Sequence, residues 1–190
     1  MGVEQAGFEE GVRPLLFDIQ DYEAMDAAGL FERVAGRVQL LEGRLIHMAP
    51  ATAAHGLVTV NMLRAISAAA PEWTLVTQAT LLIGRQSAPD PDLFVARGAP
   101  SGRYYAPGDV VLVFESALTT LETDLNQKRR LYAAAGIAEY WVADVDGRRL
   151  HVFRSPDPDG TYADEQVFEA DSEVSPLFAP EAVIALKDVF

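Results

Sequence analysis

Three residues have the types and settings to do chemistry together: Asp92, Glu115 and Lys128. Asp92 opens the apolar run Leu93–Ala96, and Glu115 closes the run Val110–Phe114. If these runs are neighbouring strands, both carboxylates can face one hard divalent cation, which takes oxygen ligands and keeps several waters. Lys128 lies on the helix expected after the second run. It falls near the middle of the apolar stripe Leu121, Leu125, Tyr132 and Ala135. A lysine there either packs its stem and sends its ammonium to water or meets an anion, since burying it unpaired is costly. An ion, a water and a lysine beside two carboxylates could hydrolyse a phosphoester: the ion polarises a phosphoryl oxygen, and the lysine offsets charge in the transition state.

The elements that must position these groups follow from pattern. Val110–Phe114 is short, continuous and rich in β-branched residues, as suits a central strand buried on both faces. A turn-like stretch, Ser116–Thr120, leads to a helix over about Glu122–Ala135, Gly136 stops it, and Ile137–Ala143 returns as a strand. Asp18–Leu30 reads as a short helix capped by Asp18. Arg37–Ala49 reads as a hairpin turning at Glu42-Gly43. Thr52 caps a long helix to about Ala70, with its apolar side at Leu57, Val60, Leu63 and Ile66. His55 falls in its first turn, as a polar surface residue or facing a site at the helix N-terminus. Trp73–Gly84 reads as a long strand, Asp146-Gly147 as a hairpin turn, and Tyr162–Phe168 and Glu173–Ser175 as further short strands. Residues 1–17 read as a lead-in, and 176–190 as a tail.

The 190 residues are expected to form one domain with a sizeable core. No apolar run is long enough to span a bilayer, and no signal peptide is apparent. The absence of cysteine excludes disulfides and thiolate metal sites, and fits a cytoplasmic setting. A net charge of -13 should repel a phosphate backbone at long range. Any DNA binding is therefore expected to be weak or transient. It would use a local patch, with Arg97, Arg103, Arg129 and Arg130 as candidates, or a divalent cation.

Pro91-Asp92 before an apolar strand, an apolar strand ending in Glu115, the D-x-x-x-K of Asp124 to Lys128, and LYAAAGIAEYWVAD together resemble the Uma-two endonuclease family of the PD-(D/E)XK nuclease superfamily. LLEGRLIHMAP followed by His55 is similar to that family's N-terminal hairpin and helix start. The resemblance runs from about Asp18 to Arg154. It implies a restriction-endonuclease-like α/β core, a mixed sheet flanked by helices with an N-terminal β-hairpin. It also implies Mg²⁺ (or Mn²⁺) held by Asp92, Glu115 and the backbone carbonyl of Ser116, with Lys128 as the catalytic lysine. Glu42 and His55 lie in family-like segments and are candidates to line the site. Ala117 stands where the superfamily's lysine is usual, and Ser116 where an apolar residue is usual. DNA is the implied substrate, and a homodimer would supply two sites for two strands. Two other functions stay open: a non-catalytic protein-interaction module that keeps the fold, and an enzyme acting on another phosphoester.

Overall fold

The computed structural model describes residues 13–190; the first twelve residues of the expected lead-in lie outside it. Helix α1 (Ile19–Ala27) starts on a capping box in which Asp18 accepts from Gln20 and Asp21, and the Asp21 side chain accepts from the Asp18 amide. Strands β1 (Arg37–Leu41) and β2 (Arg44–Met48) form the N-terminal hairpin. Its two turn residues, Glu42 and Gly43, both have positive φ (51° and 77°), the left-handed pair that a two-residue hairpin turn requires.

The main sheet has six strands in the order β3-β4-β5-β6-β7-β8, comprising β3 (Thr74–Val76), β4 (Leu93–Ala96), β5 (Val110–Ala117), β6 (Glu139–Asp144), β7 (Arg149–Asp157) and β8 (Thr161–Glu169). Only β5 and β6 are parallel. A parallel neighbour needs a crossover, and the segment after Thr120 supplies it: α3 (Leu121–Thr123), one π-helical turn (Asp124–Lys128) and α4 (Arg129–Ala134). Gly136 (φ 74°) ends it in a Schellman motif: its amide bonds to Ala133, and that of Ile137 to Tyr132.

Both faces of the central strands are covered, which is why β4, β5 and β6 read as continuous apolar runs. Leu112 and Phe114 pack with helix α2 (Ala53–Ala69), while Val113 and Ala117 pack with Tyr132 and Ala133 of α4. Glu115 shares the parity of the second set and so points under the crossover.

Four expectations need correction. The strand expected over Trp73–Gly84 is only Thr74–Val76; Gln78 at φ 53° turns the chain out of the sheet, and Leu81 returns as an isolated bridge to Tyr105. The helix expected over Glu122–Ala135 is present, but its middle is π rather than α. Helix α2 buries Val58, Met62 and Ile66, whereas Leu57 and Val60 are 59 % and 42 % exposed. The buried stripe is the one that also carries His55, three residues before Val58. Finally, residues 176–190 are not a loose tail. Strand β10 (Ile184–Ala185) pairs with β9 (Glu173–Val174), and Ile184, Leu186 and Val189 join the α2-side core. Leu186→Ala should therefore cost about 2–5 kcal/mol of stability, in the range of fully buried leucines. Urea denaturation measures it, and a change below about 1 kcal/mol would show that this segment is not core.

Candidate functional site

The end of β5 reaches the start of β4 at one point. The Ser116 amide donates to Asp92 Oδ2 at 2.9 Å. In an extended strand a residue's N–H and C=O leave by the same edge. The Ser116 carbonyl therefore also faces the β4 side, while the next carbonyl, of Ala117, faces β6 and accepts from Val145. Continuing the pairing of Leu93 with Phe114 sets Pro91 opposite Ser116, and proline has no N–H to occupy that carbonyl. Pro91 thus leaves that carbonyl without an amide from β4 and stiffens the chain just before Asp92; the His55 ring, which the Ser116 backbone helps to keep protonated, lies beside it.

Lys128 reaches the same place from the crossover. Its Nζ lies 2.9 Å from Glu115 Oε1 and 3.0 Å from Asp124 Oδ1, and all three side chains are about 3 % exposed or less. Tyr132, one turn further on, donates to the same Glu115 Oε1 at 3.0 Å. Both bonds fall on Oε1 and leave Oε2 for the cavity. The π turn widens the helix where Lys128 and Asp124 turn inward together, a common place for such turns. Thr120 donates to Asp124 Oδ2 at 2.6 Å and completes the support.

Asp92, Glu115 and Lys128 line one small cavity of about 50 Å³, together with His55, Asp90, Arg37 and Gln39. That is room for an ion or a few waters. Asp92 is also held by His55, whose Nε2 lies 3.1 Å from Oδ1, and Arg37 Nη2 is 3.5 Å from the same oxygen. Asp90 also borders the cavity, but its Oδ1 takes the Thr80 hydroxyl at 2.7 Å.

Charge decides what this arrangement wants. Burial pushes the Glu115 carboxyl up to about 8; Lys128 opposes this, while Asp124 and Asp92 add to it. Burial would lower Lys128, but Glu115 and Asp124 more than reverse this and keep it charged. One ammonium thus serves two buried carboxylates, with Asp92 alongside. Burial would also raise Asp92, yet the hydrogen bond and charge of His55 leave it lowered. His55 is raised in turn, chiefly by its bond to Asp92.

The remaining expected residues go elsewhere. Glu42 does not line the cavity; it pairs with Arg130 at 2.8 Å and accepts from Gln127 at 3.2 Å, tying the hairpin turn to the crossover. Arg103 pairs with Glu23 at 2.9 Å, and Arg129 with Glu165 at 2.6 Å while lying over the Phe153 ring. Arg97 is exposed beside the loop that follows β4. Three of the four candidate DNA contacts are thus partnered within the chain, and the cationic groups at the cavity are Lys128, Arg37 and His55. Sequence reasoning missed Asp124, Tyr132, Arg37 and Gln39 as members of the site. Only Asp124 carried a signal, its four-residue spacing from Lys128.

Among the described residues, no group of three or more His, Asp or Glu side chains is set to hold a metal by itself. The candidate donors are Asp92, Glu115 Oε2 and the Ser116 carbonyl. This all-oxygen set fits an ion such as Mg²⁺ that keeps several waters. Among the described residues, no helix is long and apolar enough to cross a membrane.

A family model described as "Putative restriction endonuclease", Uma2, matches residues 19–187. The fold is similar to the crystal structure of a putative nuclease belonging to DUF820 from Anabaena variabilis, with a TM-score of 0.65 and 18 % sequence identity, covering 84 % of this chain and 94 % of that one. No functionally curated protein matches the chain.

Proposed function

The chain belongs to the Uma2 family, and on that premise we propose that it is a metal-dependent endonuclease that hydrolyses DNA phosphodiester bonds at Asp92, Glu115 and Lys128. The observation that carries the reading is the carboxylate cluster at the cavity: Asp92, Glu115 and Asp124 converge there, met by Lys128, Arg37 and His55. Buried carboxylates are costly unless a cation or a proton answers them.

Asp92, Glu115 and the Ser116 carbonyl would hold Mg²⁺ or Mn²⁺, which when bound supplies Lewis acidity toward the phosphate and a more acidic water. The protein's own part is positioning. Ser116 N–H and His55 fix Asp92; Tyr132 and Lys128 fix Glu115; Asp124 holds Lys128 in the turn where its charge faces the cavity. Lys128 then opposes the negative charge that builds on the phosphoryl oxygens.

The test is nicking of supercoiled plasmid by the purified protein with Mg²⁺ or Mn²⁺, and with EDTA. Cleavage that needs the metal and disappears in Lys128→Met supports the reading. Linear product whose yield rises with the square of protein concentration would add the homodimer.

The net charge of -13 and the internally paired arginines favour a second reading, a non-catalytic interaction module. That reading follows if folded protein cuts neither plasmid nor single-stranded DNA with either metal. Cleavage of a different phosphoester in a substrate panel would instead redirect the substrate.

A further inference from the structure

Arg37 and Gln39 lie two residues apart on β1, so their side chains leave one face of the hairpin. Both reach the cavity that holds Asp92 and Glu115. Gln39 is 1 % exposed, and its Nε2 donates to the Asp90 carbonyl at 3.4 Å. That bond sets the sense of the amide, since turning it over would oppose two acceptors. Gln39 Oε1 is left buried with no hydrogen-bond partner among the described residues, and so is Arg37 Nη1. Two buried, unpartnered groups, an acceptor and a donor, on two residues that line one cavity point to a ligand that offers the complements.

The donor is half of a guanidinium, which suits a phosphate oxygen. The acceptor cannot face phosphate, because a phosphodiester has no proton to give. It suits a water. We propose that Arg37 binds a non-bridging oxygen of the scissile phosphodiester and that Gln39 Oε1 accepts a hydrogen bond from the attacking water. The water's oxygen bonds to phosphorus as the ester P–O bond breaks; the water gives up one proton and the departing oxygen gains one. This deepens the nuclease reading and rests on it. Arg37 makes the substrate contact that the paired surface arginines leave open, and Gln39 sets the direction of attack.

Binding and turnover separate the two roles. A fluorescently labelled short DNA duplex is titrated by anisotropy in Ca²⁺ across a salt series, and plasmid nicking is followed in Mg²⁺. Arg37→Ala should weaken duplex binding roughly tenfold, the value of one charge-assisted bond, and should flatten the salt slope by about 0.9, one phosphate contact. Arg37→Lys should keep the slope. Gln39→Leu should bind with an unchanged affinity and slope and an unchanged KM, while kcat falls. Gln39→Met guards against a Leu variant that does not fold, and melting curves confirm the fold of each.

If the wild type cuts DNA while Arg37→Ala keeps its slope, or Gln39→Leu and Gln39→Met keep the wild-type kcat, this proposal is overturned and the nuclease reading stands. Binding without cutting, with the slope still lost in Arg37→Ala, keeps Arg37 as a phosphate contact and overturns the role of Gln39. A wild type that neither binds nor cuts DNA ends both.

Discussion

Lys128→Met is expected to cost the metal-free protein about 3–5 kcal/mol at pH 8, the range seen when one member of a buried ion pair is removed. The size follows from geometry. Lys128 is the counter-charge for both Glu115 and Asp124, at 2.9 and 3.0 Å, and methionine fills the space without answering either. The loss should grow above pH 8. Glu115 is already pushed up to about 8 by burial with the lysine in place, and without it the carboxyl moves further up. A carboxyl whose folded value lies above its unfolded one holds more protons in the folded state across that interval. Stability therefore falls as pH rises through it. The two proteins should lose stability in parallel up to about pH 8 and diverge above it, where the wild-type carboxyl has ionised and the variant goes on losing stability toward its own higher value. Urea denaturation in EDTA at pH 7, 8 and 9.5 measures this. A pH-independent cost, or one below about 1 kcal/mol, would mean that the lysine is not the counter-charge the geometry makes it.

What the sequence could show here and what it could not divide along one physical line. Residues whose surroundings are set by their own strand or helix were readable. The runs ending in Glu115 and beginning at Asp92 look apolar because both faces of those strands are covered, and Lys128 stood out because a charge on an apolar stripe breaks the pattern. Residues whose role depends on how separate pieces dock were not readable. Arg37 and Gln39 reach the cavity only because the hairpin lies against the segment before β4, through the Leu40–Ala88 bridge and the bond from the Gly43 amide to Gln86. No local periodicity encodes that contact. Helix α2 has more apolar positions than it buries, so its sequence fits more than one rotation, and Thr52, His55 and the sheet select one. The C-terminal segment looked like a tail because its two-residue strand is too short to leave a pattern. Tyr132 reads as core, and it is; its hydroxyl on Glu115 becomes visible only once helix and strand are in place.

Glu115→Gln should separate folding from catalysis at this site. The amide oxygen can keep the bonds that Oε1 makes with Lys128 and Tyr132, and the shape is unchanged. What disappears is a buried negative charge. Its folded value of about 8 lies well above the ordinary 4.5, so in the wild type this group lowers metal-free stability as pH climbs across that interval. Glutamine has no proton to lose. The variant should be at least as stable as the wild type at pH 8 in EDTA, with a flatter dependence of Tm on pH. In activity the change has the opposite sense: an N–H₂ donor faces the cavity where Oε2 stood, and the carboxylate proposed to hold the ion is gone. Nicking should drop at least about a hundredfold, because holding that ion is worth several kcal/mol in the transition state. Melting curves in EDTA and plasmid nicking in Mg²⁺, on one preparation, read both effects. A variant that cuts at the wild-type rate removes Glu115 from the metal site. One that melts well below the wild type at pH 8 makes it a structural carboxylate whose charge the fold needs.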